Sequence, residues 1–115
     1  DMLRGIEPSE SRRNLRKILE VGKNFGLRLM IIATPASNNF GPLYKNEFDA
    51  IFPDLAKDYN AIYVRNFFEA IMEPENPNLP KLQLLQQDRL HPNAEGISKI
   101  VGKLGPTVQD LISTK

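Results

Sequence analysis

The stretch Leu27-Arg28-Leu29-Met30-Ile31-Ile32-Ala33 decides how the chain folds. It is an almost unbroken apolar run of strand length, it follows Phe25-Gly26, and Thr34-Pro35 stops it. Such a run predicts a strand buried on both faces of a parallel sheet, because an alternating pattern would mark a half-exposed one. Upstream, Leu15, Ile18, Leu19 and Gly22 recur at helical spacing, with Arg12, Arg13, Arg16 and Lys17 on the other face. Pro8 breaks the opening loop and Ser9 is the expected helix cap, with Glu10 in the first turn to suit the helix dipole. The four basic residues read as a solvated helix face rather than a binding patch.

Downstream, Ala36 to Gly41 forms a polar loop at the strand's carboxyl end, where ligands sit in open α/β folds. Tyr44, Phe48, Ile51, Phe52, Leu55 and Tyr59 then mark one face of a helix between Pro42 and Asp58. Pro53 falls inside it and is expected to bend the helix near Asp49 or Ala50 without ending it, since the stripe continues in phase. Ala61 to Val64 reads as a second short strand, Phe67 to Met72 as one or two helical turns, and the proline-rich Glu73 to Pro80 as an exposed loop. Asn93 is placed to cap a last helix whose apolar positions are Ile97, Ile100, Val101, Leu104, Val108, Leu111 and Ile112, with an expected kink at Gly105-Pro106. The order helix, strand, helix, strand, loop, helix defines an α/β chain with parallel pairing. Two strands make a poor parallel sheet, so the chain reads as part of a domain.

Composition narrows the function. The 115 residues are 41% hydrophobic and 25% charged with a net charge of +1, which gives no field to select nucleic acid or an anionic membrane. There is no cysteine, so thiolate catalysis, disulfides and cysteine-bound zinc are excluded. No apolar run approaches the ~20 residues of a membrane span. One histidine and scattered carboxylates supply no recognisable zinc spacing, and no cofactor is implied.

That histidine, His91, stands three residues after Asp88 and directly before Pro92. On one short turn the carboxylate can reach Nδ1 and fix the tautomer, leaving Nε2 to take a proton. The same spacing also fits a plainer role, with Asp88 capping a turn and His91 a surface residue before a helix. Spacing alone leaves both open.

The wider residues add a resemblance. Asp88-Arg89-Leu90-His91-Pro92-Asn93-Ala94-Glu95-Gly96 resembles the last block of the SGNH (GDSL-type) hydrolases. Met2-Leu3-Arg4-Gly5, Thr34-Pro35-Ala36, Asn39-Phe40-Gly41 and the run from Tyr44 to Lys57 are similar to bacterial arylesterases of the thioesterase I/lysophospholipase L1 group. The resemblance covers nearly the whole chain and implies the C-terminal portion, residues 1–115, of a single flavodoxin-like α/β/α domain. It implies a Ser-His-Asp esterase acting on short acyl esters, thioesters or lysophospholipids, with His91 as general base and Asp88 orienting it. By the same resemblance Pro35, Phe40 and Tyr44 are candidates for the acyl-pocket wall, and Asp1 matches the last residue of the Gly-x-Asn-Asp oxyanion block.

The family's Gly-Asp-Ser block is not among these residues. Ser9, Ser11, Ser37, Ser98 and Ser113 all lack its setting, Ser37 included, although Ser37 lies at a strand's carboxyl end. The nucleophile is therefore expected outside the sequence, and the chain alone is expected to be inactive. A missing N-terminal segment or a second chain is expected to cover the sheet edge. Two other readings are a non-catalytic fragment that keeps the fold and a carbohydrate O-deacetylase of the same superfamily. Export to the periplasm or beyond is implied only by the resemblance, since the opening Asp1-Met2 carries no signal segment.

Overall fold

Three long helices and two short parallel strands carry the chain, in the order α1 (Pro8–Asn24), β1 (Met30–Ile32), α2 (Gly41–Asp58), β2 (Ile62–Val64) and α3 (Ala94–Ser113). Short 3-10 turns lie at Met2–Arg4, Asn38–Phe40, Glu69–Ile71 and Leu82–Leu84. The computed structural model describes residues 2–113, so Asp1 lies outside the described residues. The elements divide into two compact units, Asp1–Asn66 and Phe67–Lys115. The α/β class, with two strands and three main helices, agrees with the sequence expectation.

In the first unit, α1 begins two residues earlier than a cap at Ser9 predicts. Pro8 occupies the first turn and Glu7 is the cap residue, its carbonyl accepting the N–H groups of Glu10 and Ser11. Proline has its φ preset for that position and lacks only a donor that the helix would leave unused. The helix ends where Phe25-Gly26 places it. Gly26 takes φ 69°, its N–H donates to the Lys23 carbonyl, and the Leu27 N–H donates to the Gly22 carbonyl. This is the Schellman closure, and its positive φ is what calls for glycine.

Strand β1 pairs in parallel with β2, in the register Met30↔Ile62, Ile31↔Tyr63 and Ile32↔Val64. Bonds from Ile62 N–H to the Leu29 carbonyl and from Ala33 N–H to the Val64 carbonyl extend the ladder at each end. The regular strand is shorter than the apolar run, and it is buried on one face only. Ile31 is 5% exposed and Ile32 37%, which corrects the expectation of a strand covered on both faces. Among the described residues the sheet has two strands, and only one of its faces is packed by helix.

That packed face is the core of the unit, formed by Leu19, Ile31, Ala36, Phe48, Ile51, Leu55 and Ala56. The aromatic stripe of α2 lies along it as predicted, with Tyr44 stacked on Phe48 and Phe48 edge-on to Phe52. Helix α2 runs unbroken through Pro53. Ile18, expected in the apolar stripe of α1, is instead exposed, because α1 turns only its Leu15 and Leu19 side inward. Arg12 and Arg16 form ion pairs with Asp54 and Asp58 of α2 at 2.9 and 3.0 Å. They thus join two helix surfaces, each pair contributing little in water.

The second unit gathers Ile71, Leu84, Leu85 and Ile100 into a smaller core, with Phe67, Phe68 and Leu104 against it. Helix α3 continues through Pro106. Of its predicted apolar positions only Ile100 is fully buried, while Ile97, Val101, Val108 and Ile112 are exposed. The stripe is real in the sequence, but the two 3-10 turns in this unit are too short to cover it.

Candidate active site

The turn before α3 is built from the backbone outward. Leu85 and Pro92 form an antiparallel bridge, closing the segment between them into a loop. Inside it the Gln86 N–H donates to the His91 carbonyl at 2.7 Å and the Arg89 N–H to the Gln86 carbonyl at 3.0 Å. Arg89 sits in the left-handed region at φ 57°, a conformation that bulky residues rarely adopt and that the closed loop imposes.

Asp88 uses its two oxygens for different tasks. Oδ1 accepts the backbone N–H groups of Leu90 at 2.9 Å and His91 at 3.0 Å, which caps the turn. Oδ2 lies 2.6 Å from His91 Nδ1. The turn cap and the contact to the imidazole, which spacing leaves as alternatives, are therefore both made by this one residue.

The hydrogen bond from the His91 ring, followed by those from the backbone N–H groups of His91 and Leu90, holds the Asp88 carboxyl down at about 2. It is an ionised acceptor at neutral pH and has no proton to give. With the carboxyl ionised, Nδ1–H is the donor in this contact, and in the neutral ring Nε2 then carries the lone pair that can accept. The imidazole side chain is 71% exposed, so a reacting group can reach it.

Asn93 joins this turn to the helix. Its Oδ1 accepts the Gly96 N–H at 2.9 Å, the cap that the sequence predicts. Its Nδ2 also donates to the Gln83 carbonyl at 2.8 Å, and its backbone N–H donates to the Leu84 carbonyl at 2.9 Å. Gly96 is needed at the third helical position because a Cβ there would lie 2.3 Å from the Leu84 carbonyl oxygen. The quoted motif contains both residues, yet nothing in it signals these contacts with Gln83 and Leu84. Gln86 carries no sequence signal at all, since its partners are backbone carbonyls brought near by loop closure.

Pro35, Phe40 and Tyr44 belong to the first unit, and Asp88 and His91 to the second. Phe40 and Tyr44 come together, with ring centroids 5.2 Å apart, and both engage the chain's opening segment. The Phe40 ring covers Gly5, where a Cβ would come within 2.8 Å of it, and the Tyr44 hydroxyl donates to the Ile6 carbonyl at 2.8 Å. Pro35 is exposed. The Ala36 peptide beside it is held on both sides. Its N–H donates to Asp49 Oδ1 at 2.7 Å, and its carbonyl accepts from Lys45 Nζ, itself 2.8 Å from Asp49 Oδ2. Among the described residues no cluster of metal-ligating side chains is found, and no helix is long and apolar enough to cross a membrane.

These features define an α/β chain with an aspartate–histidine pair on the turn before its last helix. No family model matches the sequence. Individual proteins do. The thioesterase 1/protease 1/lysophospholipase L1 of Escherichia coli (strain K12) is 33% identical over 115 residues, spanning 98% of this chain and 51% of that protein. The crystal structure of AlinE4, an SGNH-hydrolase family esterase, superposes with a TM-score of 0.67 at 33% identity, covering 99% of this chain and 57% of that one. A structure of TesA gives a TM-score of 0.80 at 21% identity over 97% of this chain and 58% of its own, a likeness of fold. By sequence and fold the chain therefore matches the C-terminal part of the SGNH-hydrolase esterases. It spans about half the length of the curated relatives it matches.

Proposed function

We propose that this chain supplies the acid–base pair of a serine ester hydrolase whose nucleophile lies outside the 115 residues. The observation that carries the reading is the 2.6 Å contact between Asp88 Oδ2 and Nδ1 of an exposed His91. With Nδ1–H held by the carboxylate, Nε2 accepts the hydroxyl proton as the serine oxygen bonds to the substrate carbonyl carbon. Collapse of the tetrahedral species breaks the bond to the leaving group, which departs as an alcohol or thiol with the proton returned from Nε2. Water then repeats the sequence on the acyl-enzyme and releases the acid. Asp88 stays ionised throughout and stabilises the imidazolium that forms twice per cycle.

The substrates proposed are short-chain acyl esters, thioesters or lysophospholipids, in keeping with the names of the matched relatives. Pro35, Phe40 and Tyr44 are proposed, by the family resemblance, as candidates for the acyl-pocket wall. The serine-bearing segment, in this reading, completes one domain with residues 1–115 and covers the edge of the two-stranded sheet. Alone, the 115 residues hydrolyse nothing by this route.

The test joins the chain to a serine-bearing N-terminal segment and follows aryl-ester hydrolysis. Asp88→Asn is expected to lower turnover by about 10⁴, as removal of the orienting carboxylate does in a comparable triad. His91→Ala should lose at least as much. Near-normal turnover in His91→Ala would remove the assignment.

A further inference from the structure

The imidazole of His91 is too exposed to be oriented by packing. Its direction depends on the hydrogen bond to Asp88 and on where the backbone of residue 91 is held. Asp88 secures the amino side of that residue by accepting its N–H. The carboxyl side is secured by Gln86, at two successive carbonyls. The Gln86 backbone N–H donates to the His91 carbonyl at 2.7 Å, and its side-chain Nε2 donates to the Pro92 carbonyl at 3.1 Å. The Gln86 carbonyl in turn accepts the Arg89 N–H, so this one residue touches the loop at three points.

We propose that Gln86 is a positioning residue for His91, its side-chain amide acting through the Pro92 carbonyl to keep Nδ1 in reach of Asp88. The proposal rests on the acid–base reading of Asp88 and His91 and adds to it a residue outside the Asp-x-x-His spacing. The Gln86 N–H to His91 carbonyl bond and the Asn93 N–H to Leu84 carbonyl bond are the two rungs of the Leu85–Pro92 bridge, and the Gln86 side-chain amide takes the Pro92 carbonyl that lies between them. Without the amide, the Pro92–Asn93 peptide loses the partner of its carbonyl and is held only through the Asn93 N–H to Leu84 carbonyl bond. The segment that follows His91 is then less firmly held, and the ring spends part of its time away from Oδ2.

His91 is the sole histidine, so its ring signals in the nitrogen and proton spectra of the 115-residue chain need no assignment against others. In the unaltered chain Nδ1 is expected to carry the proton, with slowed exchange against water. Gln86→Met keeps the length of the side chain and removes the donor. It should raise the Nδ1 proton exchange rate about two- to tenfold, the worth of one neutral hydrogen bond. Its ring nitrogen shifts should also move toward a mixture of tautomers. Gln86→Lys, which restores an N–H donor, should recover most of both effects. A structural role alone would lower the unfolding midpoint and leave the ring signals unmoved.

Ring signals and exchange unchanged in Gln86→Met would overturn the proposal, as would equal disturbance in Gln86→Met and Gln86→Lys. Should Gln86→Met not fold, Gln86→Asn, one methylene shorter, carries the same comparison. Asp88→Asn in the same chain separates the role of Gln86 from that of the pair. If the unaltered ring shows no protected Nδ1 proton and Asp88→Asn changes nothing, the pair itself fails and Gln86 falls with it. If Asp88→Asn abolishes the protection and Gln86→Met does not affect it, only Gln86 falls.

Discussion

Replacing Gly96 with alanine should destabilise the chain, although the same exchange elsewhere in α3 should stabilise it. A helical glycine is ordinarily a weak point, costing up to about 1 kcal/mol relative to alanine. At Gly96 the new Cβ would lie 2.3 Å from the backbone oxygen of Leu84 and 3.2 Å from the Pro92 Cβ. Neither atom belongs to a flexible side-chain end, so the start of α3 must retreat from the turn by roughly 1 Å. Overpacking of this kind costs about 1–3 kcal/mol. The retreat also stretches the bond from Asn93 N–H to that same Leu84 oxygen, now 2.9 Å, and a lost neutral hydrogen bond costs about 0.5–1.5 kcal/mol. Set against the helix-propensity gain, the net loss is about 2 kcal/mol.

Gly102 is the internal comparison. It is exposed on the same helix, and nothing beyond that helix's own backbone lies within 4 Å of where its Cβ would stand. Gly102→Ala should gain about 0.5–1 kcal/mol. Urea unfolding of the 115-residue chain, followed by helical circular dichroism and by the His91 ring signals, measures both variants. In Gly96→Ala the ring signals should shift before unfolding, since Leu84 adjoins the Leu85–Pro92 bridge that closes the histidine loop. If Gly96→Ala proves as stable as Gly102→Ala, the close approach of α3 to the turn is refuted.

Two further outcomes follow from other contacts. The Asp88 carboxyl, held at about 2, lies below the ordinary carboxylate value of about 3.9, so its contribution to the turn is fully present above the ordinary value and is lost as pH falls through about 2. The side-chain carbon shift of Asp88 and the N–H shifts of Leu90 and His91 should titrate together near that pH, and a midpoint at or above 4 would contradict the double use of its oxygens. Asp49→Ala leaves the N–H of buried Ala36 without its acceptor and should cost about 1–3 kcal/mol in urea unfolding. Asp49→Asn keeps an acceptor and should lose less; an Asp49→Ala chain as stable as the unaltered one would show that the clamp on Ala36 contributes nothing.

Residues adjacent in the chain carry most of what can be read from the sequence. Gly26 and Pro8 mark the ends of α1 through their own backbone preferences, even where the cap falls on Glu7 rather than Ser9. The stripe from Tyr44 to Tyr59 identifies α2 despite Pro53, because the period of the apolar positions outweighs one lost donor. The pairing of Asp88 with His91 lies within one turn and so is visible as spacing. Ile18, Val101 and Ile112 depart from expectation for a common reason. Periodicity reports which residues share a face, and burial depends on whether another element covers it.

The kinds and order of the elements, the α/β class, the Asn93 cap and the candidate pair are thus legible from residue order, because local conformational preference and short-range spacing set them. The length and one-sided burial of β1 come instead from the folded arrangement, since a strand extends as far as its partner hydrogen-bonds to it. That arrangement also decided that Tyr44 gives its hydroxyl to Ile6, that Gly96 yields space to Leu84, and that Gln86 reaches the Pro92 carbonyl. In each case one partner is a backbone atom, which carries no residue identity to be read from sequence, and the contact exists because chain closure brings that atom within hydrogen-bonding or van der Waals distance.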